Sequence, residues 1–161
     1  MTARPAPRAG GDPVELPGPP HRMRLCLELE IPSDVRYIER VVEIVRHQCA
    51  SMCFAPQHCT LNVPVALSEA LANAILRGNG EDPDKQVVVR ASLTAHHLVL
   101  EVRDEGGGFD LDRCTVDVSS PDNLEREDGR GLFLMRSLMH RVEQFDDGGN
   151  VVRLTLHRGA M

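Results

Sequence analysis

The sequence predicts a two-layer α+β sandwich: one mixed, largely antiparallel sheet with helices on one face. Three observations carry this. Short segments of alternating apolar and polar residues come in pairs split by turn residues, as in hairpins. Three longer segments repeat apolar residues at helical spacing. The strands do not alternate one-for-one with helices, which disfavours a doubly wound parallel sheet. In chain order, residues 1–21 are rich in proline and glycine and lack apolar periodicity, so they read as a flexible tail. The folded domain is expected over residues 22–161. "RLCLELEI" over 24–31 places Leu25, Leu27, Leu29 and Ile31 on one side of a half-buried strand. Ser33 or Asp34 can cap the next element. Val35, Ile38, Val41, Val42 and Val45 then predict a helix to about Met52. Residues 61–76 form a second helix with Leu67, Leu71, Ala74 and Ile75 on its apolar face, stopped by "RGNG". Residues 87–93 and 98–103 form a hairpin about "TAHH". Residues 111–128 are polar and aperiodic. "GRGLFLMRSLMHRV" opens a third helix at a glycine-rich turn, and 142–145 and 151–156 form a last hairpin about "DDGGN".

Bulk properties exclude several function classes. The chain has 161 residues, 42% of them hydrophobic, with no Trp, one Tyr and four Phe, so the core is aliphatic. The formal net charge is −6 and the basic residues are scattered, which argues against direct nucleic-acid binding. No uninterrupted apolar run approaches the roughly 18–20 residues that span a bilayer, and no export signal is recognisable. Five cysteines without such a signal suggest free thiols in the cytoplasm. The group Cys49, Cys53, His58 and Cys59 lacks the usual zinc-ligand spacing and reads as thiols near the end of a helix.

Three patches carry chemistry. Glu69 and Asn73 stand at i and i+4 on one helix face, set among Ala and Leu. A carboxylate can take a proton from a hydroxyl, and a carboxamide oxygen is a hard ligand for Mg²⁺. By itself such a pair is also common on solvated helix surfaces. The second patch is Asp104-x-Gly106-x-Gly108 at a strand end. A carboxylate there can accept from an exocyclic amine such as that of adenine, and glycines permit close backbone approach; a plain glycine-rich turn has the same signature. The third is Gly129-Arg130-Gly131, followed by Leu132 and Phe133. A helix start offers backbone N–H groups to phosphate, and Arg130 could add a charge-assisted contact or be solvated. The Walker A pattern is absent.

In this order the three patches resemble the ATP site of the GHKL superfamily, shared by gyrase-type ATPases and histidine kinases. "LSEALANAILRGNG", "VRDEGGGFD" and "DGRGLFLMRSLMHRVEQ" further resemble the anti-sigma-factor serine-protein kinases, the RsbW-like group. The resemblance covers about residues 24–158. It implies a bound ATP with Mg²⁺, with Glu69 as general base, Asn73 as metal ligand and Asp104 reading adenine. It implies that Gly106, Gly108, Gly129 and Gly131 flex around the nucleotide, that residues 129–133 line it, and that 111–128 form a lid. Two positions depart from the group: Arg77 stands where His is common and could serve similar packing or face a phosphate, and Asn150 stands where Gly-Thr is frequent, near the adenine.

The function implied is that of an anti-sigma factor and serine/threonine kinase that phosphorylates a STAS-type anti-anti-sigma partner. A nucleotide-binding module that sequesters a regulator with little kinase activity is the alternative. The resemblance also implies a homodimer, with Arg40 near the dimer or sigma-factor surface; Arg36 and Arg40 are spaced i,i+4 on the first predicted helix. A histidine kinase would need an upstream phosphoacceptor helix pair, for which the Pro-rich tail offers no sequence.

Overall fold

The computed structural model describes residues 22–107 and 127–159. The tail, Gly108 and nearly all of the expected lid lie outside the described residues. Five strands form one sheet in the order β1-β2-β3-β5-β4, with β1 Leu25–Pro32, β2 Gln86–Leu93, β3 His97–Asp104, β4 Arg141–Asp146 and β5 Asn150–His157. The hairpins foretold a largely antiparallel sheet; all four described pairings are antiparallel. The helices are α1 Ile38–Ser51, α2 Val63–Asn73 and α3 Glu127–Leu138.

Register explains why one face is buried. Leu29, Val89, Val102 and Val152 lie in one cross-strand row; Leu27, Ala91, Leu100 and Leu154 form the next; Leu25, Leu93, Leu98 and Leu156 the third. Strand side chains alternate between faces, so these rows stack under the helices and join Val45, Leu67, Leu71, Ile75 and Met135 in one core. The reverse face carries the charges. Arg90 pairs with Glu28 at 2.6 Å, and Arg153 pairs with Glu101 at 3.2 Å while stacking over Phe145. An exposed pair of this kind contributes about 0–1 kcal/mol, against about 1.5–3 kcal/mol for burying one Leu or Val. The apolar rows therefore set the sheet's orientation.

The first helix starts later than its periodicity suggests. Asp34 accepts from the Arg36 backbone N–H at 2.9 Å and caps a short 3₁₀ turn, Val35–Tyr37, before α1 begins at Ile38. Arg36 is held by the Asp34 carboxylate, so it does not share an α-helical face with Arg40, which is exposed on α1. The Arg36 guanidinium keeps the Asp34 carboxyl below its ordinary value.

The second helix is longer than expected. π-helical turns at His58–Asn62 and Ala74–Gly78 flank α2, giving one helical run of 21 residues, His58–Gly78. That run is long and apolar enough by composition to cross a membrane, a property the search for uninterrupted apolar stretches overlooked. Its apolar residues are spent elsewhere: Val63, Leu67, Leu71 and Ile75 are fully buried in the core. Asn62 donates to the Leu138 carbonyl at 2.7 Å and satisfies a free group at the end of α3.

The C-terminal strand is clasped to the α1 end. Arg158 donates to the carbonyls of Met52 and Cys53 and stacks on Phe54, 4.2 Å from its ring centre. Arg158→Ala is expected to cost about 2–3 kcal/mol, combining lost charge-assisted hydrogen bonds and a cation–π contact. Urea unfolding should show the midpoint falling with an unchanged slope.

Candidate functional site

Glu69 and Asn73 lie one turn apart on α2, half-buried, facing α3. The closeness of α3 depends on Gly131. A Cβ on Gly131 would stand 2.8 Å from Glu69 Oε2 and 3.7 Å from Asn73 Nδ2. Any side chain at 131 would therefore occupy the space in front of the two polar groups. The glycine-rich turn expected before α3 is instead its beginning, because the helix starts at Glu127. Gly129 and Arg130 fall among the first four residues, whose N–H groups have no intrahelical partner. The other expected contacts divide. Arg130 and Phe133 are exposed and Arg77 is exposed at the end of the helical run, whereas Leu132 is buried at 2% in the core. Its side chain is part of the core cluster, which leaves Leu132 only its backbone to offer a ligand.

The same helical run builds a second cluster at its other end. Asp104, the last residue of β3, is 1% exposed. Its Oδ1 accepts from the Gly106 N–H at 2.9 Å and its Oδ2 from Asn150 Nδ2 at 3.1 Å. An ionised carboxylate has about four lone-pair sites, so these two bonds leave acceptor capacity over. Burial pushes the Asp104 carboxyl above its ordinary value; the donations from Asn150 and Gly106 oppose the rise, and Lys85 is the charge that reaches it. Gly78 lies directly against this carboxylate, and Gly106 lies against the Gly78 carbonyl; a Cβ at either position would collide. Gly149, at φ +144°, lets the β4–β5 turn approach the Asp104 backbone.

Asn79 fixes the floor of this cluster. It is 3% exposed. Its Nδ2 donates to Ser33 Oγ at 2.7 Å and to the Gln86 carbonyl at 2.9 Å, and its Oδ1 accepts from the Glu105 N–H at 2.8 Å. One carboxamide thus holds the end of β1, the start of β2 and the turn after Asp104. The π-turn delivers it: Asn79 N–H reaches back five residues to the Ala74 carbonyl, and such wide turns often occur at functional sites.

The arrangement has two polar ends, one at Glu69 and Asn73 and one at Asp104. One end has a carboxylate and a carboxamide, hard oxygen donors suited to Mg²⁺, beside the start of a helix. The other has a buried carboxylate with spare acceptor sites, walled by glycines. A nucleoside triphosphate with its metal fits this donor set. Sequence reasoning took Gly78 and Asn79 for a helix stop and assigned no role to Gln144. Asn150 alone had drawn notice, as a departure. The thiols stand apart from the cleft: Cys49 and Cys59 are buried, Cys53 is exposed, and burial pushes the Cys49 thiol up to about 12.

Comparison with known proteins places the chain in a family. Residues 31–156 match the family model described as the histidine kinase-like ATPase domain. The chain is 28% identical over 135 residues to the serine-protein kinase RsbW of Bacillus subtilis, covering 80% of this chain and 83% of that protein. It is 33% identical over 99 residues to the anti-sigma F factor of Bacillus velezensis, covering 59% of this chain and 67% of the relative. Among solved structures it superposes on the crystal structure of the RsbU and RsbW domains of a Mycobacterium tuberculosis protein, with a TM-score of 0.60 at 18% identity. That match covers 84% of this chain but only 34% of the mycobacterial one, so this chain spans about a third of it. With four-fifths of its residues matched by a single family model, the chain belongs to the histidine kinase-like ATPase domain family.

Proposed function

We propose that this chain binds Mg-ATP in the cleft and transfers the γ-phosphate to a serine or threonine of a STAS-type anti-anti-sigma partner. In this reading it also sequesters a sigma factor, works in the cytoplasm and acts as a homodimer, with exposed Arg40 on the partner-facing surface. The observation that carries the reading is the pair of glycine-lined polar ends on one helical run: Glu69 and Asn73 against Gly131, and Asp104 against Gly78 and Gly106. The names of the bacillary relatives, a serine-protein kinase and an anti-sigma factor, support the choice of acceptor and partner.

In this mechanism Asp104 accepts from the exocyclic amine of adenine and fixes the base. The first N–H groups of α3, with Arg130, face the phosphates. The Asn73 oxygen would hold Mg²⁺, which when bound neutralises charge developing on the transferred phosphoryl group. Glu69 takes the proton of the partner's hydroxyl as its oxygen bonds the γ-phosphorus and the bond to the ADP oxygen breaks. Glu69 stays half-buried beside α3, which limits competition from water.

The test is incubation with candidate anti-anti-sigma proteins and Mg-ATP, followed by mass spectrometry. Phosphate on a partner serine or threonine is expected; ATP binding without transfer to any partner would leave a sequestering module. The base assignment has its own check. Asp104→Asn exchanges an acceptor for a donor, and ATP affinity measured by calorimetry should fall about tenfold to a hundredfold, the worth of a hydrogen bond to a charged group. The melting temperature should move little, because the amide removes a buried charge while opposing the Asn150 donor. Burial has raised this carboxyl, so whatever stability its protonation lends is present at low pH and lost as pH rises through its folded pKa. ATP affinity should rise over that same interval, as the acceptor becomes ionised. Unchanged ATP affinity in Asp104→Asn would sink the assignment.

A further inference from the structure

A third residue stands behind Asp104 and Asn150. Gln144 lies on β4, opposite Val152, so it shares the inner face of the sheet and reaches diagonally to Asn150. Gln144 Nε2 donates to Asn150 Oδ1 at 2.6 Å, and Asn150 Nδ2 donates to Asp104 Oδ2 at 3.1 Å. The direction of this chain follows from its end. An ionised Asp104 only accepts, so Asn150 must turn its NH₂ towards it and its carbonyl oxygen away. That oxygen then requires a donor, and Gln144 supplies it. A carboxamide can rotate by half a turn with almost no change of shape, so steric packing alone does not hold Asn150 in this sense.

We infer that Gln144 is a positioning residue for nucleobase selection: by donating to Asn150 Oδ1 it locks the Asn150 amide, which keeps Asp104 an acceptor for an exocyclic amine. The inference rests on the reading of Asp104 as the base-contacting group. The other groups around the carboxylate do not substitute for this lock. Gly106 contributes a backbone N–H from the strand's own turn, Gly78 contributes backbone from the helical run, and Lys85 contributes charge from the loop before β2. Among the described residues, the hydrogen bonds of the Asn150 amide run to Gln144 and Asp104. The β4–β5 turn lets the three side chains meet, because Gly149 has no Cβ to strike the Asp104 backbone.

The test compares ATP with inosine triphosphate, whose ring carries an oxygen in place of the amine. The wild-type chain should prefer ATP at least tenfold, as sites built to bind a donor reject analogues lacking it. Gln144→Glu faces the Asn150 oxygen with a second acceptor, favours the turned amide, and sets an oxygen against Asp104. It should weaken ATP about tenfold or more and bring the two nucleotides to near-equal affinity. Gln144→Met removes the donor at similar size and should give an intermediate ratio. A lower melting temperature in both variants with an unchanged ratio would make Gln144 a scaffold residue and overturn the inference. Asp104→Asn, measured in parallel, separates the two failures. If it loses discrimination and the Gln144 variants keep it, only the lock is wrong. If it keeps discrimination, the base-contacting role of Asp104 is wrong, and the lock falls with it.

Discussion

Gly106→Ala is expected to lower ATP affinity about a hundredfold, whereas Gly107→Ala, one residue on, leaves it unchanged. The two glycines sit in the same turn, yet their surroundings are opposite. A Cβ on Gly106 would overlap the Gly78 carbonyl and approach Asp104 Oδ1 to 3.1 Å; a Cβ on Gly107 would meet nothing within 4 Å. The obstacle at Gly106 is backbone, so no rotamer change relieves it. Either the turn after β3 swings out and takes the Gly106 N–H from Asp104, or the helical run is pushed back at Gly78, which itself lies against the carboxylate. Both routes break the end of the site proposed to read the base. Overpacking of this kind costs about 1–3 kcal/mol in stability, and the displaced carboxylate should lower ATP affinity by about a hundredfold. Calorimetry with ATP on both variants decides the matter. Equal affinity for the two would mean that the close packing of Gly78, Gly106 and Asp104 does not form the base pocket.

Glu69→Gln should separate chemistry from binding. The side chain keeps its size and its place against Gly131 but can no longer take a proton. Partner phosphorylation should fall by about a hundredfold to ten-thousandfold, the usual contribution of a general base, with ATP affinity within about threefold of the wild type, because Asp104 and the start of α3 are untouched. Single-turnover transfer to the anti-anti-sigma partner measures the first quantity and calorimetry the second. Transfer at the wild-type rate would remove Glu69 from the proton path and leave it a wall of the cleft.

The two predictions draw on features that differ in how far the sequence disclosed them. The strands were legible because period-2 alternation is a local property: Leu25, Leu27, Leu29 and Ile31 point inward whatever β1 pairs with. Glu69 and Asn73 were legible because helical spacing alone puts them together. Gly78 was not. A glycine that ends a helix and a glycine that makes room for Asp104, 26 positions later, look the same along the chain. Gln144 is linked to Asp104 through Asn150 only because β5 inserts between β3 and β4, and strand order is not a local property. The π-turns were equally hidden, since their residues carry the same apolar pattern as a plain helix. The start of α1 was misplaced for a local reason: Asp34 caps a 3₁₀ turn as readily as an α-helix.

The π-turn after Asn73 changes what one helix can do. In an α-helix each residue advances about 100° around the axis, and one wide turn resets that phase for everything beyond it. Glu69 and Asn73 are therefore aimed at α3, while Gly78 and Asn79 are aimed at the end of β3. The two ends of the cleft are mounted on a single rod, separated by nine helical steps, or about 13 Å of rise. The helix is a ruler as well as a wall: a ligand that touches both marks has to be long enough to reach from one to the other.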